Sequence, residues 1–194
     1  FSEFSRLHNE FIDLLEEAQI FRIRTQGIGV MSKEMAMNYG TVGPVARASG
    51  VDFDVRRDDP YWGYDKLKFK VPVRTEGDSF ARYRVRLEEM QESINICWQV
   101  WDKYNELKAT DSFRNMDVPR RPPAGEVYRR IETGRGEGGF YLVSDGKTNP
   151  YRCRINSPVF NNLQVLTPLV IGGKLADIPA VMGSIDLCVG DLDR

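Results

Sequence analysis

GSIDLCVGDLDR, residues 183–194, closes the chain. Chain ends usually fray and turn polar. This one sets Ile185, Leu187, Val189 and Leu192 among Asp186, Asp191, Asp193 and Arg194, with Cys188 between them. Asp186 and Asp191 cannot sit in an apolar wall as lone charges, so each needs a cation or several donors. Just upstream, residues 158 to 190 carry only Lys174, Asp177 and Asp186 as charges. Residues 157–194 are therefore expected to form buried C-terminal helices and a tail, covered by this chain or by a partner.

The 194 residues suit one piece of structure, and 41% hydrophobic content is enough for a sizeable core. With 27 basic and 28 acidic residues the net charge is -1, which gives no global reason to bind nucleic acid or an anionic membrane. Arg82, Arg84 and Arg86, and the Arg120-Arg121 pair, read as solvated faces. Cys97, Cys153 and Cys188 are too sparse for a disulfide framework, and no CxxC occurs. The chain therefore has no zinc or iron–sulfur ligand set of its own. His8, the only histidine, reads as structural or solvent-facing. No run is long and apolar enough for a transmembrane helix. The chain opens on a helical pattern without Met, and is expected to be a piece of a longer product.

Upstream periodicity is mainly helical. Phe4, Leu7, Phe11, Leu14, Leu15 and Ala18 predict a helix over residues 3–19. Ser32 predicts an N-cap for a short helix through Met37. Residues 40–61, GTVGPVARASGVDFDVRRDDPY, predict a packed irregular loop with one helical turn at Pro44 to Ala48. They lack a Walker lysine and a dinucleotide spacing, which excludes nucleotide binding there. The longest element is predicted at 78–107, capped by Asp78 or Ser79. Its stripe of Phe80, Tyr83, Leu87, Met90, Ile94, Cys97, Trp98, Trp101 and Tyr104 is read as core, with Cys97 a buried inert thiol and Arg84–Glu88 an i,i+4 pair.

A proline-rich loop is expected over 110–126. Strands are predicted at Val127–Glu132, Gly139–Ser144 and Tyr151–Ile155, a small β segment within 127–156, with Asp145-Gly146 as a hairpin turn. Ser157-Pro158 predicts a helix through about Leu166, and Gly183 closes another from about Ala176. The fold class is mainly α with a small antiparallel β-sheet (α+β).

The tail resembles the extreme C-terminus of the hydrogenase-related D subunit of respiratory complex I, which typically ends in a GSxDxxxGxxDR-like run. Three further stretches agree in order: TQGIGVMSKEMAMNYGTVGPVARASGVDFDVRRDDPY, GDSFARYRVRLEEMQESI and RGEGGFYLVSDGKTNPYRCRINSPVFNNLQ. The resemblance covers essentially the whole chain, and matches only the C-terminal half of the family's subunit. It implies a nickel–iron hydrogenase large-subunit-like fold. Hydrogenase large subunits end in D-P-C-x-x-C. Here Asp186-Leu187-Cys188 matches D-x-C, and Asp191 stands in place of the second cysteine. Nickel–iron chemistry needs a set of soft thiolates, so the cavity is read as inherited and the metal as lost.

The resemblance implies part of the quinone-reducing subunit of a complex I-type NADH dehydrogenase, or of its F420H2 relative that reduces methanophenazine. The isolated piece is expected to be inactive. Asp186, Cys188, Asp191, Arg194 and Arg135 match positions around the acceptor cavity. A salt-bridge knot fits Asp186, Asp191 and Arg194 as well, and a turn residue fits Arg135. Arg194 and Arg135 are the candidate cations for the tail carboxylates. No catalytic residue, metal ligand or bound cofactor is expected from this chain. The quinone or quinone-like acceptor belongs to the full complex, and the iron–sulfur cluster to a neighbouring subunit. Implied partners are the iron–sulfur subunit, a membrane-arm subunit and a small peripheral-arm subunit. The implied place is the peripheral arm, on the cytoplasmic side of the inner or cell membrane or on the mitochondrial matrix side. The alternatives are a membrane-bound nickel–iron hydrogenase relative and a purely structural scaffold. Alone, the chain is expected to self-associate.

Overall fold

The computed structural model describes residues 1–106 and 121–193. Ten α-helices and one three-stranded antiparallel sheet are found among them. The first apolar period forms α1 (Ser2–Glu17), and a second helix that the periodicity did not predict, α2 (Gln19–Thr25), follows across Ala18. Ser32 caps α3 (Lys33–Asn38) by accepting from the Met35 amide at 3.1 Å. The loop after it holds two short helices, α4 (Gly43–Arg47) and α5 (Val55–Asp58). α6 (Ser79–Glu106) is the longest element, and Asp78 Oδ1 accepts from the Ala81 amide at its start. The sheet pairs β1 (Gly125–Thr133) with β2 (Gly136–Ser144), and β2 with β3 (Arg152–Asn156). α7 (Pro158–Leu163), α8 (Leu166–Val170), α9 (Ile178–Ser184) and α10 (Val189–Leu192) complete the chain.

The core lies where these late helices meet the central loop. Met31, Ala36, Val45, Val165, Leu169, Val181 and Ile185 pack as one buried cluster, with Leu187 of the tail against it. Dry packing of this kind is the main favourable term in folding. Gly77 lets the chain pass close to it: a Cβ there would lie 2.1 Å from the Met31 carbonyl oxygen. That approach makes the bond from the Met31 amide to the Gly77 carbonyl.

Several sequence expectations change. The α6 stripe is core only at its N-terminal end: Leu87 is buried, while Met90, Trp98, Trp101, Tyr104 and Cys97 are exposed. The periodicity marks an apolar face, and the described residues do not cover its second half. The arginines of α6 are not a solvated face. Arg82 is fully buried, donating to the Gly77 and Gly29 carbonyls at 2.8 and 2.7 Å and to Ser184 Oγ at 2.9 Å. Arg84 pairs with Glu16 rather than Glu88, which pairs with Arg74. Long-range partners displace the local i,i+4 geometry.

The tight hairpin turn is Gly134-Arg135, between paired Thr133 and Gly136, whereas Asp145-Gly146 opens the longer link from β2 to β3. α7 stops at Leu163, and α9 passes through Gly183. Burial of 158–190 is partial: Phe160, Ile171, Leu175 and Val189 are exposed. His8 is structural, its Nε2 lying 3.1 Å from the Leu87 carbonyl oxygen. Most of the expected 110–126 loop, with Arg120, lies outside the described residues, as does Arg194. Among the described residues no helix is long and apolar enough to cross a membrane.

Candidate functional site

Two backbones in close contact position the site. The β1–β2 turn lies directly on the start of α4. A Cβ on Gly43 would fall 2.3 Å from Gly136 Cα, and one on Gly136 would fall 2.7 Å from the Gly43 amide nitrogen. Both glycines have positive φ, which residues with a Cβ adopt at a cost. Asn162 of α7, fully buried, staples the junction. Its Oδ1 accepts from the Val42 amide at 2.9 Å, and its Nδ2 donates to the Val42 and Arg135 carbonyls at 3.3 and 3.4 Å.

The fixed turn aims Arg135 at the tail. Its Nε lies 3.1 Å from Asp186 Oδ2, and its Nη1 lies 3.8 Å from Asp191 Oδ2. The first contact is an ion pair without hydrogen-bond alignment, since Nε is also a buried atom lacking a hydrogen-bond partner among the described residues. Asp186 has φ +56, a left-handed conformation tolerated by Asp, and it turns the chain at the end of α9. Cys188 is half-buried and reduced. Of the expected site residues, Arg135, Asp186 and Asp191 therefore come together, with Cys188 on the same tail.

Behind this group lies a buried ionic cluster that sequence reading missed. Arg47 of α4, fully buried, donates to Glu89 at 2.7 Å, to Glu132 at 2.9 Å and to the Phe53 carbonyl at 2.9 Å, and stands 3.6 Å from Asp54. Arg56 holds Asp54 at 2.7 Å. Burial pushes Glu89 and Glu132 above the usual carboxylate range, and Arg47 offsets only part of that. Burial also acts to raise Asp54, but Arg56 and Arg47 outweigh it and leave Asp54 below its ordinary value. Arg86 is held below its usual value by burial, which outweighs the attraction of Asp186 and Glu89.

A cavity of about 400 Å³ opens between these groups, lined by Arg47, Arg86, Glu89, Glu132, Gly134 and Asp186 among others. Little that is local in the sequence marks Asn162 or the Arg47 cluster, because Asn162 bonds Val42 across 120 residues and Arg47 pairs with Glu89 and Glu132 across 42 and 85. The glycines were the available signal.

A mainly helical chain with a small antiparallel sheet, a C-terminal tail tied to the sheet and a charged cavity beside it defines the class of hydrogenase-like large subunits. The family model of the respiratory-chain NADH dehydrogenase 49 Kd subunit matches residues 1–121 and 107–194. The chain belongs to that family. It is 45% identical over 186 residues to the NADH-quinone oxidoreductase D subunit of Dehalococcoides mccartyi, covering 96% of this chain and 50% of the relative. It is 43% identical over 208 residues to the NADH-quinone oxidoreductase D 2 subunit of Koribacter versatilis, covering 96% of this chain and 52% of the relative. The chain thus spans about half the length of the curated relatives it matches. Among solved structures, a chain of the membrane-bound sulfane sulfur reductase, an archaeal respiratory membrane complex, superposes with a TM-score of 0.89 at 37% identity, covering 100% of this chain and 53% of that one.

Proposed function

We propose that this chain forms one wall of the acceptor cavity in the quinone-reducing subunit of a complex I-type dehydrogenase. The observation that carries the reading is Asp186 on the wall of the charged cavity, with Arg135 beside it at 3.1 Å and Asp191 3.8 Å from the same guanidinium. Reduction of a quinone adds two electrons and two protons and passes through negative charge on the ring oxygens. Guanidiniums held in a partly closed cavity stabilise such charge, and fixed carboxylates keep them in place. Arg135 and Arg86 are the positive groups, and Asp186 orients Arg135.

In this reading the electrons arrive from an iron–sulfur cluster on a neighbouring subunit, and NADH or F420H2 is oxidised elsewhere in the complex. The reaction is coupled to ion translocation, with membrane-arm and small peripheral-arm subunits as further partners. The chain sits in the peripheral arm on the cytoplasmic or matrix side. The tail's donor set, one thiol at Cys188 and a carboxylate at Asp191, does not fit a nickel–iron centre, which needs soft thiolates.

The test is acceptor reduction normalised to assembled complex. Asp186→Ala, or deletion of Asp193-Arg194, should lower that rate with assembly intact, whereas Cys188→Val should leave it near normal. A purely structural scaffold would lose assembly instead. A second reading, favoured by the likeness to the sulfane sulfur reductase chain and by the half-buried thiol, makes the acceptor a sulfane sulfur. It would be selected if Cys188→Val abolished turnover while the two tail changes left it untouched.

A further inference from the structure

One cation serves two glutamates on the wall of the charged cavity. Arg47 donates through Nε to Glu89 of α6 and through Nη2 to Glu132 of β1, and both glutamates line the cavity. Asp54 adds a third carboxylate, 3.6 Å from Arg47, with Arg56 at 2.7 Å as its own partner. Arg47 and Arg56 thus carry two positive charges against three carboxylates. Burying a carboxylate without a full counter-charge is costly, and such a group escapes the cost by keeping its proton.

The bonding decides which of the three keeps it. Asp54 accepts on both oxygens, Oδ1 from the amide and Nε of Arg56 and Oδ2 from its Nη2. Glu132 also accepts on both, Oε1 from Arg47 at 2.9 Å and Oε2 from the Val55 amide at 3.3 Å. Donors on each oxygen favour the charged form. Glu89 uses only Oε1, at 2.7 Å from Arg47, so among the described residues its Oε2 is open to carry a proton. Its side chain is 14% exposed against 4% for Glu132, which gives Glu89 the better access to the cavity. The charged and titratable groups facing it there are Arg47, Arg56, Tyr64, Arg86, Glu132 and Asp186. Arg47, Arg56 and Arg86 favour its anion, and burial outweighs them. Burial raises Glu132 as well, so the choice between the two glutamates rests on their bonds.

We infer that Glu89 holds a proton in the resting subunit and gives it to the acceptor reduced in this cavity. The inference rests on the acceptor reading above and adds the source of one of the two protons. The O–H bond of Glu89 breaks and an O–H bond forms on a ring oxygen of the quinone, with the two electrons coming from the neighbouring subunit's iron–sulfur cluster. The carboxylate left behind is held by Arg47, already in place at 2.7 Å. The second proton comes from water. Water also returns the proton to Glu89 once the quinol has left, which restores the resting state. A positioned acid of this kind needs a hold on its proton tighter than that of an ordinary glutamate, and burial beside a shared cation supplies it.

The experiment uses the full-length subunit in its assembled complex, with a short-chain quinone as acceptor. Infrared difference spectra between mildly acidic and alkaline buffer should show a protonated carboxyl band that is missing in Glu89→Gln and kept in Glu132→Gln. Per assembled complex, Glu89→Gln should lower kcat by roughly tenfold or more and leave KM within about twofold. Glu89→Asp keeps an acid on a shorter stem, so it should be faster than Glu89→Gln. Its kcat should also fall at lower pH than the parent's, because an aspartate ordinarily holds its proton less tightly than a glutamate. A merely structural role predicts the opposite order, since glutamine keeps both the length and the oxygen that meets Arg47. The inference is overturned if the band survives in Glu89→Gln, if Glu89→Gln stays within about twofold of the parent kcat, or if Glu89→Asp is the slower variant. Should Glu89→Gln fail to assemble, the pH at which Glu89→Asp loses activity decides, and an unmoved profile overturns the inference. Failure of the acceptor reading shows separately: Asp186→Ala would leave turnover untouched while the infrared band still reports the proton on Glu89.

Discussion

Replacing Arg47 by methionine removes the cation shared by Glu89, Glu132 and Asp54 while keeping an apolar stem of similar length. Arg56 still holds Asp54, so the loss falls on the two glutamates. Removing one partner of a buried ion pair costs about 3–5 kcal/mol, a large share of the roughly 5–15 kcal/mol that holds a folded domain. Both glutamates already stand above their ordinary value of 4.5 because burial disfavours their charge. Without Arg47 they rise further. A carboxylate raised on folding contributes stability that is fully present below its unfolded pKa and is lost as pH rises through its folded pKa. The variant should therefore lie closest to the parent near pH ~5 and furthest from it near pH ~8, by about 1.4 kcal/mol for each tenfold tightening of either glutamate's hold on its proton. Denaturant unfolding of the full-length subunit at both pH values measures this. A loss under about 1 kcal/mol at the higher pH, against the range above, would refute the reasoning. So would an equal loss at both values.

The junction beneath Arg135 makes two further expectations. Gly43→Ala puts a Cβ into the Gly136 backbone at a left-handed φ and should cost at least about 2 kcal/mol in the same unfolding assay. Asn162→Leu leaves the Val42 amide and the Arg135 carbonyl without their staple and should cost about 1–3 kcal/mol; an unchanged midpoint for either variant would mean that the junction does not hold Arg135 in place. Residues 1–194 expressed alone should self-associate, because apolar faces of α1 and α6 are exposed. Sedimentation showing only monomer at high concentration would count against that.

The sequence by itself determined what depends on neighbours along the chain. Ser32 caps its helix because an oxygen three residues before an amide needs no tertiary help. The strands and the extent of α6 follow from period and turn residues, and the resemblance of the tail identified the family that the comparisons show. Only the tertiary structure decided what meets each face. Arg82 and Arg86 share a charged sequence pattern with solvated helices, yet Arg82 is withdrawn from water by the Gly29 and Gly77 carbonyls and Ser184 of α9, and Nε and Nη2 of Arg86 are buried too. The aromatic run from Met90 to Tyr104 has the spacing of a core stripe but is exposed. Arg135 could be a plain turn residue until the contact of Gly43 with Gly136 and the bonds of Asn162 aim it at Asp186. Periodicity records that a face is apolar or charged; whether that face is covered depends on contacts between residues far apart in the chain, which no local pattern contains.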